Sequence, residues 1–348
     1  MKLYQKLLSA ALTLFLLVSL AACGQKTEAP DPAPPAPEVQ EPAAPETELP
    51  EEPIEDPVQI RVAALKGPTA MGLVSMMAAD GMDSFTLAGS ADEVTPALIK
   101  GDLDVACVPA NLASVLYNKT EGGIVCLAVN TLGVLYIVEN GEEIRSMEDL
   151  RGKTIVSAGK GATPEYGLRY LLSENGIDPD RDVTLDWKSE HSECVAALAS
   201  GAATIAMLPQ PFVTAAQGKI ETLRVALDLT AEWDALDNGS AMITGVAVAR
   251  RAFVEEHPAE VERFLEEYAR SVDWVNANPA QAGELIAEYG IVESAALAEK
   301  ALPHCNIVCL TGQEMFEKLS GYLQVLSGAA PEAVGGALPG DGFYYGAS

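Results

Sequence analysis

Basic residues are scarce in this chain. Its 348 residues include 22 Lys and Arg against 50 Asp and Glu, a formal net charge of −28. A nucleic-acid partner is not expected, because phosphate backbones are held by basic surface. Docking of the folded part on anionic lipid is not expected either. Histidine is rarer still, at 3, and no HExxH or Ser-His-Asp pattern occurs around any of them. Cysteine excludes more than it suggests. Beyond Cys23 there are five, at 107, 126, 194, 305 and 309, and an odd number makes a poor disulfide framework. Cys107 and Cys126 lie in the strand-like runs DVACV and IVCLAV and read as core. Cys305 and Cys309, in HCNIVCL beside His304, could pair or form part of a metal site, but no fourth ligand stands at zinc spacing, so they read as structural and no metal is expected.

Long apolar runs are also missing, apart from one near the start. Lys2 and Lys6 precede Leu7–Leu20, which is too short and too early for a membrane span. It ends in Leu20-Ala21-Ala22-Cys23-Gly24, which resembles a bacterial lipobox. That resemblance implies a signal peptide over 1–22 and lipid on Cys23, an anchor that does not span the bilayer. Residues 24–57 then hold ten of the 22 prolines and ten acids with the single Lys26. Such composition cannot bury a core, so 23–57 reads as a lipidated cysteine and a disordered tether.

Residues 58–348 carry 19 basic and 40 acidic side chains and are long enough for two lobes. Short apolar runs alternate with helical periodicity throughout, which predicts an α/β fold with mostly parallel sheets covered on both faces. The pattern is plainest in Thr154–Leu172. An apolar run, Thr154–Ala158, breaks into Gly159-Lys160-Gly161-Ala162-Thr163-Pro164-Glu165, after which Tyr166, Leu168, Leu171 and Leu172 recur at helical spacing. Thr163 is expected as N-cap and Pro164 as the first helical residue. A strand-to-helix corner of this kind leaves backbone N–H groups at the positive end of a helix dipole, where an anionic or polar ligand can sit. One such corner means little, since its spacing fits neither a Walker loop nor GxGxxG. Four more share its character: Lys66–Thr69, Pro109–Asn111, Ser189–His191 and Pro209–Phe212. In open α/β sheets, ligands lie beyond the strand C-termini against such corners.

The order and spacing of RVAALKGPT (61–69), LIKGDLDVACVPAN (98–111), LRGKTIVSAGKGATP (150–164) and ALASGAATIAMLPQPF (197–212) resemble the NitT/TauT-type solute-binding lipoproteins of ABC importers. The resemblance covers about residues 58–345. It implies a two-lobe, Venus-flytrap periplasmic-binding-protein type II fold, with 58–140 plus 245–348 as lobe I and 141–244 as lobe II. The crossings are expected at Val138–Gly141 and Gly239–Val246. It also implies an extracytoplasmic monomer, tethered to the bacterial cell membrane, that closes on a small solute by hinge motion and delivers it to an ABC permease and its ATPase. No cofactor is implied. The expected ligand contacts are Lys66, Gly67 and Thr69; Pro109 and Asn111; Gly159, Lys160, Gly161, Ala162 and Thr163; Glu190 and His191; and Gln210 and Phe212. No corner carries arginine, the better bidentate partner for nitrate or sulfonate, so a polar neutral or heteroaromatic solute stays open beside an anion. Trp187, Tyr166 and Phe212 border the expected cleft, as ring platforms or as packing.

The alternative is an enzyme on the same fold, of the pyrimidine- or menaquinone-precursor type. Only His191, beside Glu190, is an attractive acid or base, and it is equally well read as a helix-start histidine. A pyrimidine-making relative would need a cysteine-rich iron segment, which the chain lacks. No catalytic residue is assigned, and capture is the expected role.

Overall fold

The computed structural model describes residues 58–79 and 81–347. The expected signal peptide, lipidated Cys23 and tether lie outside them. The chain alternates strictly at first: β1 (Arg61–Leu65), α1 (Pro68–Met71), α2 (Val74–Ala78), β2 (Ser84–Ala88), α3 (Ala91–Lys100), β3 (Val105–Pro109), α4 (Ala110–Lys119) and β4 (Ile124–Leu132). A second set follows: β5 (Leu135–Glu139), β6 (Thr154–Ala158), α5 (Thr163–Glu174), β7 (Thr184–Lys188), α6 (His191–Ala199), β8 (Ile205–Pro209), α7 (Phe212–Lys219), β9 (Arg224–Asp228) and α8 (Leu229–Asp234). Then come β10 (Ile243–Arg250), α9 (Arg251–Glu256), α10 (Pro258–Ala277), α11 (Pro279–Glu288), α12 (Ala295–Ala301), β11 (Ile307–Leu310) and α13 (Gly312–Ala329).

The strands form two sheets, ordered β11-β4-β10-β3-β1-β2 and β7-β6-β8-β5-β9. Each is the floor of one lobe of a type II two-lobe fold. β1 pairs in parallel with β2 and β3, and β6 with β7 and β8. The pairings of β10, β5 and β11 are antiparallel. The other strands of each sheet share one direction, so the sheets are mostly parallel as expected, with β10 and β11 reversed in the first and β5 in the second. The lobe boundary shifts. A break at 140/141 leaves Leu135–Glu139 in the first lobe, but this strand pairs with β8 and β9. The chain crosses between Leu132 and Leu135, at Gly133. Both flanks of that glycine are equally apolar, so the sequence carries no sign of the change of sheet.

Central strands are buried on both faces, as β3 and β4 show, while edge strand β2 alternates. Helix α10 buries Val261, Phe264, Leu265, Tyr268 and Val272 at the i, i+3, i+4, i+7 spacing of an amphipathic helix. Two buried carboxylates tie elements together. Asp104 accepts from Arg61 and Arg250, joining β1, β3 and β10. Burial raises its pKa, but these bonds outweigh that and hold it below its ordinary value. Glu139 accepts from the Glu143 and Ile144 amides and from Arg224. The cysteines after residue 58 are all free, with 107, 126, 194 and 305 buried and 309 half-buried. No helix among the described residues is long and apolar enough to cross a membrane.

Candidate functional site

The corner after β1 in one lobe and those after β7 and β8 in the other line one shared space, while the corners after β3 and β6 do not. A cavity of about 790 Å³ opens there. The first lobe supplies Lys66 and Gly67 from the corner after β1, and Gly290, Ile291, Leu297 and Lys300 from the α11–α12 segment. The second supplies Ser192 and Val195 from α6, and Phe212, Thr214 and Lys219 from α7. Gly67 has φ of 113°, a left-handed value that excludes ordinary side chains. This conformation turns the chain sharply out of β1 and leaves the Lys66 side chain exposed at the rim.

Beneath the β1 corner runs a buried polar seam. Thr69 Oγ1 donates to Leu65 O at 2.9 Å, and fully buried Asn130 donates to Thr69 O at 3.5 Å. Thr131 Oγ1 donates to Asn130 Oδ1 at 3.0 Å. Gly245, opposite Pro109 in the β10–β3 pairing, makes room for them. A Cβ there would lie 2.5 Å from Thr69 Cγ2 and 2.6 Å from Asn130 Oδ1. Thr69 is thus held by the sheet rather than presented to the cavity.

His191 is the first residue of α6, and its ring lies 5.2 Å from that of Phe212 on α7. Its Nδ1 is buried and has no hydrogen-bond partner. Burial pushes the imidazole pKa down to about 4, so the ring is neutral near pH 7. His191 does not itself line the cavity, whereas the next residue, Ser192, does; a neutral imidazole with an unused nitrogen can accept or donate one hydrogen bond. Glu190, its N-cap, is exposed and accepts from Ser192 Oγ at 3.1 Å.

The other expected contacts fall elsewhere. Gln210 is buried, and its Oε1 caps α7 by accepting from Thr214 N and Oγ1. Pro109 is the N-cap of α4. Asn111 and Thr163 meet where the two lobes touch, with Thr163 Oγ1 donating to Asn111 Oδ1 at 3.4 Å. Thr163 is not the N-cap of α5 as expected; Ala162 is, and Thr163 begins the helix, which frees its hydroxyl for Asn111. Gly159 and Lys160 belong to the same loop, with Lys160 exposed and outside the cavity lining. The N–H of Gly161 is not free. It donates to Glu165 Oε2 at 2.7 Å, and Ser189 N donates in the same way to Glu193 Oε2 at 3.1 Å. Each carboxylate fills the positive end of its own helix, where the sequence suggested room for a ligand.

Sequence reasoning missed the wall from Ala287 to Lys300. No glycine-rich corner marks it, and it faces the cavity only because α12 packs near α7. It also missed Lys219. A periodicity check on α7, with Lys219 one turn past Ala215 on the Phe212 side, would have found it.

A model of the ABC transporter, phosphonate, periplasmic substrate-binding protein family matches residues 83–294. A binding protein of Brucella abortus is 27% identical over 200 residues, 58% of this chain and 59% of that one. The chain thus spans about three fifths of the length of the curated relatives it matches first. Among solved structures, an ABC transporter from Parabacteroides distasonis superposes with a TM-score of 0.70 at 25% identity, over 82% of this chain and 98% of that one. The periplasmic aliphatic sulphonate binding protein from Escherichia coli superposes with a TM-score of 0.67 at 16% identity, over 83% and 92%, a likeness of fold.

Proposed function

Because the chain belongs to the phosphonate ABC-transporter periplasmic substrate-binding protein family, we propose that it captures a small anionic solute between its two lobes. It then presents the solute to an ABC permease and its ATPase. The observation that carries this reading is the cationic cavity between the lobes. Lys66, Lys219 and Lys300 line it, with Glu293 as the one carboxylate. Of the lysines among the described residues, only Lys153 and Lys188 make ion pairs. Three unpaired ammonium groups around one cavity, in a chain this acidic, concentrate positive potential where a solute enters. Ser192 lines the same cavity, and its neighbour His191 keeps a buried Nδ1 without a partner.

The family is extracytoplasmic, and we propose that lipid on Cys23 holds this member, as a monomer, to the outer face of the cell membrane. We read the chain as a capture protein rather than an enzyme. Burial keeps His191 neutral, and no carboxylate orients its ring among the described residues. That state suits hydrogen bonding better than proton transfer. Titration calorimetry against methylphosphonate, methanesulfonate and phosphate tests the reading. Binding of at least one, weakened by Lys66→Ala and by His191→Ala, is the expected result. Silence toward all three, with a neutral compound found bound by native mass spectrometry, overturns it.

A further inference from the structure

The cavity is larger and longer than a compact oxyanion needs. Its 790 Å³ would hold well over ~20 waters at ~30 Å³ each. It touches α7 at Phe212, Thr214, Ala215, Gly218 and Lys219, from the first residue of that helix to the last. At 1.5 Å per residue that path is about 10 Å. One end is the polar corner at Lys66 and Gly67. The middle is apolar: Val195, Phe212 and Ala215 on one side, Ile291, Val292 and Leu297 on the other. Lys219 closes α7, and Lys300 lies in the last turn of α12.

Resting on the capture reading, we propose that the solute is elongated and carries two anionic groups separated by an apolar spacer. Its head lies at Lys66 and Gly67, opposite the start of α6 at Ser192. Its spacer lies between α7 and the α11–α12 segment, and its distal anion is held by Lys219 and Lys300. Glu293 lowers the net charge of the lining to about +2 and by itself would favour a distal ammonium, but the two lysines outweigh it. The ordinary role of Lys219 and Lys300 is to offset the negative ends of their helix dipoles. That role predicts an effect on melting temperature and none on solute length, so the two separate cleanly.

The experiment is titration calorimetry with methylphosphonate, butylphosphonate and phosphonohexanoate. The proteins are wild type, the Lys219→Ala/Lys300→Ala double variant, its Gln counterpart, and Lys66→Ala, each checked by thermal melting. We expect phosphonohexanoate to bind at least about ten-fold tighter than butylphosphonate in wild type, an advantage that shrinks as salt rises. Both double variants should bring the two ligands to similar affinity, while Lys66→Ala weakens all three. No advantage for phosphonohexanoate, or one that survives in both double variants, overturns the inference. If methylphosphonate still binds through Lys66 in that case, the capture reading stands alone. If none of the three binds wild type, both fail.

Discussion

The Thr163 hydroxyl and the Asn111 side-chain carbonyl join the two lobes directly, at 3.4 Å. Asn111 lies in the first turn of α4 in the first lobe, and Thr163 opens α5 in the second. The same Asn111 donates through Nδ2 to Ala333 O at 3.3 Å, in the C-terminal segment. That segment is clasped to α4 again by Ser114 and Asn118. One side chain therefore links a corner of each lobe to the end of the chain.

Asn111→Ala should loosen that joint. The lost inter-lobe bond is long, so its worth is about 0.5–1 kcal/mol, a two- to five-fold shift toward an open arrangement. Small-angle scattering of the solute-free protein should show a larger radius of gyration. Asn118→Ala, which removes bonds to the C-terminal segment without touching Thr163, should leave the radius unchanged. Equal radii for wild type and Asn111→Ala would count against the joint.

Gly245→Ala should destabilise the first lobe. The added methyl would meet Thr69 Cγ2 and Asn130 Oδ1 far inside contact distance, and neither is the free end of a flexible chain. Overpacking of this kind costs ~1–3 kcal/mol, seen as a lower urea midpoint at unchanged slope. Wild-type stability in Gly245→Ala would show that the seam under the β1 corner yields easily.

His191 sets a pH dependence whose sign follows from its burial. Its folded pKa of about 4 lies below the ordinary value of ~6.5, so the unfolded chain takes up a proton first as pH falls. Stability is then whole above about pH 6.5 and declines between about pH 6.5 and about pH 4. In that window, His191→Gln should melt with a shallower pH slope than wild type. An anion placed against Nδ1 favours the charged ring, so solute binding near pH 5.5 should take up protons in wild type and not in the variant. Calorimetry in buffers of different ionisation enthalpy reads this. Identical proton uptake by both proteins would place the solute away from His191.

Much of the fold was legible in the chain. Thr154–Ala158 is a strand at the residues its apolar run marks, and a helix follows directly after the glycine loop. β11 was not legible, because four residues at a sheet edge, Ile307–Leu310, read first as a cysteine motif. The segment that leaves β1 forms two short helices, parted at Gly72 and Leu73. A side chain at Gly72 would come within 3.0 Å of the Tyr268 hydroxyl, a contact no local pattern encodes. Of the corner residues expected at a site, Lys66, Gly67 and Phe212 line the cavity between the lobes. The site was not legible where a carboxylate four residues on takes the corner's N–H, as Glu165 does for Gly161, or where distant helices supply the wall.

Capture between two lobes is tested most directly by hydrogen exchange with and without the tightest-binding anion found by calorimetry. The account predicts added protection on both sides of the cavity at once. It should appear at Lys66–Met71 and Ile291–Leu297 in the first lobe, and at His191–Val195 and Phe212–Lys219 in the second. The separate cavity of about 640 Å³ lined by Arg263, Arg270 and Trp274, built from the first lobe alone, should not change. Protection confined to one lobe, or centred on Arg263–Trp274, would contradict the account.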